Sequence, residues 1–175
     1  MTKATPNQNS TSRKYKARDP VITSHIMASV RSSGSEAEMA LRRELSRRGL
    51  RYRLHPIHVT GVKIPGKPDL VFVTARVAVF IDGDFWHGRI LLKQGLTALQ
   101  SQFRPKKRDY WIPKIMGNVK RDQETTLALK REGWRVVRVW ESEVLKAAVS
   151  VAERIERIVL SRTHPGSSLR RCSDG

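Results

Sequence analysis

The sequence predicts one α/β domain in which a mixed central sheet is flanked by helices. Three observations carry that expectation. Two short β-branched runs, Leu70–Val73 and Val77–Ile81, are separated by Thr74-Ala75-Arg76 and read as a hairpin. A third strand pattern, Trp134-Arg-Val-Val-Arg-Val-Trp140, lies beyond a helical stretch, so a crossover connection can bring it alongside the hairpin. Apolar residues at helical spacing open and close the folded region, at Ala37, Leu41 and Leu45 and again at Val144, Ala148, Val151, Ile155 and Ile158.

The elements follow in order. Residues 1 to about 20 are rich in Thr, Ser, Asn, Lys and Arg and are expected to be a disordered basic tail. The first helix begins at Ser35, where Ser35 and Glu38 have capping-box spacing, and it ends at Gly49. Arg51–Leu54 is a short strand. Residues 59 to 66, with Gly61, Pro65 and Gly66, read as a loop. The hairpin comes next. Residues 88 to 117 have no clear periodicity and receive no assignment. Asn118–Glu132 is helical and stopped by Gly133. The strand from Trp134 and the last helix complete an order α-β-β-β-α-β-α. The folded domain is expected to span about 21–162, with a second disordered tail over 163–175. No internal repeat is visible.

Composition narrows the function. The chain has 175 residues, a formal charge of +18 and a pI of about 11.1. That excess attracts polyanions and points to nucleic acid. No apolar run approaches the length that spans a bilayer, which argues against a membrane partner. The first twenty residues carry no secretory pattern. Cys172 is the only cysteine, so neither an internal disulfide nor a cysteine zinc site can form, which fits a reducing cytoplasm.

The residues that suggest chemistry are acids at strand ends. Asp69 opens the first hairpin strand and Asp82 closes the second, so the pairing sets them side by side. Like charges that close repel unless a cation intervenes. Each has a plainer reading, Pro68-Asp69 and Asp82-Gly83 being common turn dipeptides. Three acids (Asp69, Asp82, Asp84) and His87 within nineteen residues outweigh it and suggest a divalent-metal site that activates water. Lys67 adds a cation beside Asp69. Glu38 shares a helix face with Leu41 and Leu45 and points coreward despite its capping role. Asn118 and Asp122 are four apart on one helix face. Phe85-Trp86 and Tyr110-Trp111 are large aromatics in apparent loops, and Arg104, Lys106, Lys107 and Arg108 precede the second pair. Core packing is one reading; basic residues interleaved with aromatics favour a nucleic-acid platform.

In this order and spacing the motifs resemble the very short patch repair (Vsr) endonucleases, a branch of the restriction-endonuclease-like PD-(D/E)xK superfamily. The matching segments are Ser24-His25-Ile26-Met27, Pro65-Gly66-Lys67-Pro68-Asp69, Phe80 to His87, Tyr110-Trp111, Lys114-Ile115, Asn118 to Asp122, Gly133 to Val136 and Val139-Trp140-Glu141. The resemblance implies that Asp69 binds catalytic Mg²⁺ with the Ile81 carbonyl, and that His87 is the general base. Glu38, Asn118 and Asp122 would orient metal-bound water. Phe85, Trp86 and Trp111 would enter the DNA stack from the major groove, with Met27 approaching from the minor groove. Members of that family nick one strand 5′ of the thymine in a T:G mismatch. The resemblance also implies a prokaryotic cytoplasm, with the protein on the nucleoid. Two departures are visible. Asp82 stands where the first described members have His, and an acid there is expected to bind metal directly. Asp84, Ser142 and Gly88-Arg89-Ile90 replace a zinc-binding set, so no structural zinc is expected, and Asp84 is expected to pair with an Arg.

The leading expectation is therefore a Mg²⁺-dependent mismatch nickase, working as a monomer on double-stranded DNA beside mismatch-repair proteins or a cytosine-5 methyltransferase system. The alternatives are a nuclease of the same superfamily acting on other DNA in restriction or defence, and a basic DNA-binding protein with an inactive site. The intact Asp69, Asp82 and His87 argue against the last.

Overall fold

A computed structural model of the chain describes residues 35–59 and 61–163. The expectations for the N-terminal tail, for Met27 and its arm, and for residues 164–175 fall outside these residues. Helix α1 (Glu36–Arg47) starts where the sequence places it. The Ser35 hydroxyl accepts from the Glu38 amide at 3.2 Å, satisfying one of the free first-turn donors. Glu38 does not complete the reciprocal half of a capping box; its carboxylate turns inward instead.

The strands are β1 (Arg53–Leu54), β2 (His58–Val59), β3 (Val62–Lys63), β4 (Leu70–Phe72), β5 (Val77–Asp82) and β6 (Arg135–Trp140). The main sheet has the order β1-β4-β5-β6. β4 and β5 form the expected antiparallel hairpin, and β5 and β6 run parallel with Phe80 opposite Arg138 and Asp82 opposite Trp140. The stretch expected as a loop before Gly66 holds a small separate hairpin, β2-β3. Two-residue strands are too short to show an alternation that sequence can report.

Period-two alternation sorts the sheet's side chains onto two faces. Leu70, Phe72, Val77, Val79, Val137 and Val139 pack with α1 and with α4 (Glu141–Thr163). Val71, Ala78 and Phe80 pack on the other side with Leu129 and Trp134. Asp82, two residues past Phe80, therefore faces the second side, where a long helix lies.

The unassigned stretch 88–117 is helical. Helix α2 (Arg89–Ser101) is interrupted by a non-helical Gly95, and α3 runs from Pro105 to Arg131 rather than starting near Asn118. Tyr110 and Trp111 are consequently on a helix, not in a loop. Pro113 in the interior of α3 hides this from a sequence reading, because an internal proline costs about 3 kcal/mol and normally marks a helix end. Packing of Trp111 onto Phe85, Trp86 and Phe103 helps offset that cost. Arg108 closes the α2–α3 turn by donating to the Gln100 and Phe103 carbonyls. Helix α4 runs through Thr163, one residue beyond the expected domain end.

Gly88 sits at the junction of strand, histidine and helices. Its φ is +67°, and a Cβ there would lie 2.7 Å from Val119 Cγ2 and 3.0 Å from Ile115 Cγ2. Gly88→Ala is expected to cost about 1–3 kcal/mol and to displace His87 next to it. A melting temperature lower by about 2–4 °C per kcal/mol, with slower DNA cutting, checks this.

Candidate active site

The site forms around the carboxyl end of β5, where ligand sites of parallel α/β sheets commonly lie. Because β4 is antiparallel to β5, the residue that opens β4 meets the residue that nearly closes β5. Asp69 Oδ2 accepts from the Ile81 amide at 2.7 Å, and the Asp69 amide donates to Val79. Asp69 and Asp82 thus occupy adjacent strand ends, as the hairpin predicts.

Two clusters of possible ligands flank this point: Glu38, His55 and Asp69 form one, and Asp82, His87 and Asp122 form the other. In the first, the inward carboxylate of Glu38 lies 3.2 Å from His55 Nε2, and His55 Nδ1 lies 3.7 Å from Asp69 Oδ1. The His55 amide also donates to the Asp69 carbonyl at 3.0 Å, continuing the β1–β4 pairing one residue past Leu54. Arg42 reaches Glu38 one turn on, at 3.3 Å.

In the second cluster, a residue that sequence reading passed over holds the parts together. Arg138 makes a two-pronged contact with Asp82, Nε to Oδ2 at 2.7 Å and Nη2 to Oδ1 at 2.6 Å. Its Nη2 also reaches Asp122 Oδ1 at 2.8 Å. Asp122 Oδ2 in turn lies 2.6 Å from His87 Nδ1. Asp82, expected to bind metal directly, has both oxygens engaged by a guanidinium. Contact with Asp82 and then Asp122 holds the Arg138 pKa above its ordinary value although burial works the other way. Among the described residues Glu38 and Asp82 are the buried charged side chains, and each has a basic or histidine neighbour.

Asn118, which shares α3 with Asp122, touches neither acid cluster. Its Nδ2 donates to the Trp86 carbonyl at 3.0 Å and so fixes the backbone just before His87. Asp84 pairs with Arg89 and accepts from the Ser142 amide at 3.0 Å and hydroxyl at 2.7 Å, which ties the Phe85–His87 loop to the start of α4. The expected Asp84–Arg pair is therefore present.

Outside the acids, Phe85, Trp86, Phe103 and Trp111 form one aromatic cluster, with Phe85 37% exposed and edge-on to Trp86 and Trp111. Lys114 sits 4.0 Å above the Tyr110 ring. Lys67, Arg104, Lys106 and Lys107 are solvent-exposed. Trp86 Nε1 is buried and has no hydrogen-bond partner among the described residues.

Comparison with known proteins decides the family. A family model described as "DNA mismatch endonuclease Vsr" matches residues 16–93. "Type II nicking enzyme V.NmeDIP" of Neisseria meningitidis serogroup C is 39% identical over 133 residues, 76% of this chain and 82% of the relative. The chain belongs to the Vsr family. "Type II nicking enzyme V.NaeI" of Lentzea aerocolonigenes is 41% identical over 127 residues, 73% of this chain and 72% of the relative. "DNA mismatch endonuclease Vsr" of Escherichia coli (strain K12) is 31% identical over 123 residues, 70% of this chain and 71% of the relative. Membership makes the protein a DNA endonuclease with the mixed α/β architecture described above, and Vsr nucleases use a divalent metal. No described helix is long and apolar enough to cross a membrane.

The donor set fits such a metal. The Asp69 and Glu38 carboxylates converge with the His55 imidazole, and oxygen-rich sites suit hard divalent cations. Burial pushes the Asp69 carboxyl above the usual carboxylate range, and the charges of Glu38 and Asp82 add to the rise against the opposing Ile81 hydrogen bond and His55. A carboxyl raised in the folded state favours folding when protonated and opposes it when ionised. Without divalent metal, Asp69→Asn is therefore expected to be more stable than the unsubstituted chain at pH 8. The gap should close as pH falls through the carboxylate range. Denaturant unfolding of both at pH 8 and pH 4 measures it, and an equal difference at the two pH values contradicts it.

Proposed function

We propose that this endonuclease nicks one strand of duplex DNA 5′ of the thymine in a T:G mismatch, using Mg²⁺, and that it acts as a monomer. The observation that carries the reading is the half-exposed aromatic cluster directly beside His87. Phe85 and Trp86 precede the histidine in sequence, and Trp111 packs against both. A mismatched step unstacks at lower cost than a matched one, so an aromatic wedge there selects mismatches through deformation energy. Nicking is what the names of the Neisseria and Lentzea relatives say of those proteins, and mismatch cleavage is what the name of the Escherichia coli relative says of that one.

The roles follow from the contacts. With Asp122 accepting from Nδ1–H, the His87 Nε2 lone pair is left to take a proton from water. Arg138 fixes the Asp122 carboxylate in this orientation, and Asn118 fixes the backbone before His87. Asp69 would hold Mg²⁺ together with the Ile81 carbonyl. The N–H and C=O of one strand residue face the same neighbour, and the Ile81 N–H already points to Asp69. Glu38 would orient water on the ion. When bound, Mg²⁺ supplies charge stabilisation for the phosphate that is attacked. Asp82 serves here as the anchor of Arg138. Lys67, Arg104, Lys106 and Lys107 would contact phosphates.

The test compares matched, T:G-mismatched and single-stranded DNA, with Mg²⁺ or EDTA. A single nick 5′ of the mismatched T that needs Mg²⁺ supports the proposal. Equal cutting of matched duplex, or cutting indifferent to EDTA, defeats it.

A further inference from the structure

We propose that this chain holds one divalent cation, at Glu38, His55 and Asp69, and that the Arg138 guanidinium fills the cation position of the second cluster, Asp82–His87–Asp122. The inference rests on the metal-dependent reading above, moves Glu38 from orienting water to holding the ion beside Asp69, and adds two residues, His55 as a ligand and Arg138 as a built-in charge.

The two clusters look alike by composition, each with two acids and a histidine in close reach. They differ in which oxygens are free. In the second cluster every carboxylate oxygen is engaged: both of Asp82 by Arg138, Asp122 Oδ1 by Arg138 and Asp122 Oδ2 by His87. A planar fork that bridges two acids satisfies them in direction as well as charge. The Arg138 guanidinium carbon lies 4.6 Å from the centre of the Phe80 ring, its partner across the β5–β6 pairing. A metal entering there would have to displace a half-buried guanidinium and leave its charge uncompensated.

In the first cluster Asp69 Oδ1 and Glu38 Oε2 accept no hydrogen bond among the described residues, and His55 lies beyond hydrogen-bond distance of Asp69 at 3.7 Å. Arg42 contacts Glu38 through a single nitrogen at 3.3 Å and is partly exposed, so it neutralises the pair far less completely than Arg138 does its own. Two acids, one oxygen of each unengaged, with an imidazole between them, remain an incomplete coordination shell. Two carboxylates suit Mg²⁺ and Mn²⁺ alike, and the imidazole is a ligand that transition metals accept more readily than Mg²⁺ does, so Mn²⁺ is a fitting probe.

The experiment is a Mn²⁺ titration of the DNA-free full chain, followed by calorimetry and by loss of the free-ion paramagnetic resonance signal. One Mn²⁺ per chain is expected. His55→Gln should weaken it by about 10- to 100-fold, by the scale of groups that support a metal. Asp82→Asn should leave the affinity within about twofold. Arg138→Met, which exposes Asp82 and Asp122 to each other, should gain a second Mn²⁺. Circular dichroism confirms that each variant is folded; if Arg138→Met is not, the other three titrations decide. Two ions on the unsubstituted chain, unchanged affinity in His55→Gln, loss of the ion in Asp82→Asn, or a folded Arg138→Met with still one ion overturns the proposal. A chain that binds one Mn²⁺ in this way yet leaves mismatches uncut defeats the proposed function and leaves this assignment standing.

Discussion

Replacement of Asp69 by Ala is expected to lower the rate of nicking by about 10³-fold or more while DNA binding is retained. The estimate follows from the several kcal/mol of transition-state stabilisation that a bound cation supplies, each 1.36 kcal/mol being a factor of ten. Among the described residues Asp69 is the acid that touches both the β5 backbone, through Ile81, and the Glu38–His55 pair. Removing it therefore unmakes the ligand set at its centre. The basic surface and the aromatic cluster lie elsewhere, so affinity for duplex should change little. Single-turnover nicking and a mobility-shift titration, run on the same preparations, separate the two quantities. Equal loss of binding and cutting would mean that Asp69 acts through the fold.

Removal of the His87 imidazole is the second large effect. General-base catalysis contributes about 10²–10⁴-fold, so His87→Ala should slow nicking by that factor with metal affinity unchanged. Asp122→Asn should follow in the same direction, because it weakens the acceptor that orients His87 Nδ1 at 2.6 Å. The combined variant should be little worse than His87→Ala alone, since residues that act as a unit are not additive. Additive losses in that double variant would separate Asp122 from His87 and defeat the dyad. Single-turnover rates for the three variants suffice.

The architecture was legible where signals are local. The hairpin followed from two β-branched runs and a three-residue break, and its geometry alone brought Asp69 and Asp82 to neighbouring strand ends. The start of α1 followed from Ser35, whose hydroxyl caps the helix as its spacing suggests. The helical stretch over 88–117 was not legible. Gly95 and Pro113 interrupt it, and the aromatic contacts around Trp111 that accompany the N-terminal half of α3 come partly from residues some 25 positions earlier in the chain. Phe85, Trp86 and Trp111 could be listed from sequence as aromatics near a histidine, but not placed in one cluster.

The site divides in the same way. Motif order pointed to the family to which the chain belongs and named Glu38, Asp69, His87 and Asp122 as candidates, which the structure places in two neighbouring clusters, because each motif is a short run whose chemistry is local. It did not identify His55 or Arg138. Arg138 stands in the edge strand β6, on the side of the sheet where Phe80 and Asp82 lie, and a partly buried arginine there calls for an acid, which was the available signal. Which acid answers it depends on the parallel register of β5 and β6, between residues 56 positions apart. His55 becomes part of the site only because β1 pairs with β4 and sets it beside Asp69. Periodicity and caps are properties of neighbouring residues, so sequence alone determined the element types and the acids at their ends. Charge pairing depends on distances across the sheet. Only the tertiary structure decided that Asp82 faces an arginine while the Asp69 and Glu38 carboxylates keep oxygens unengaged.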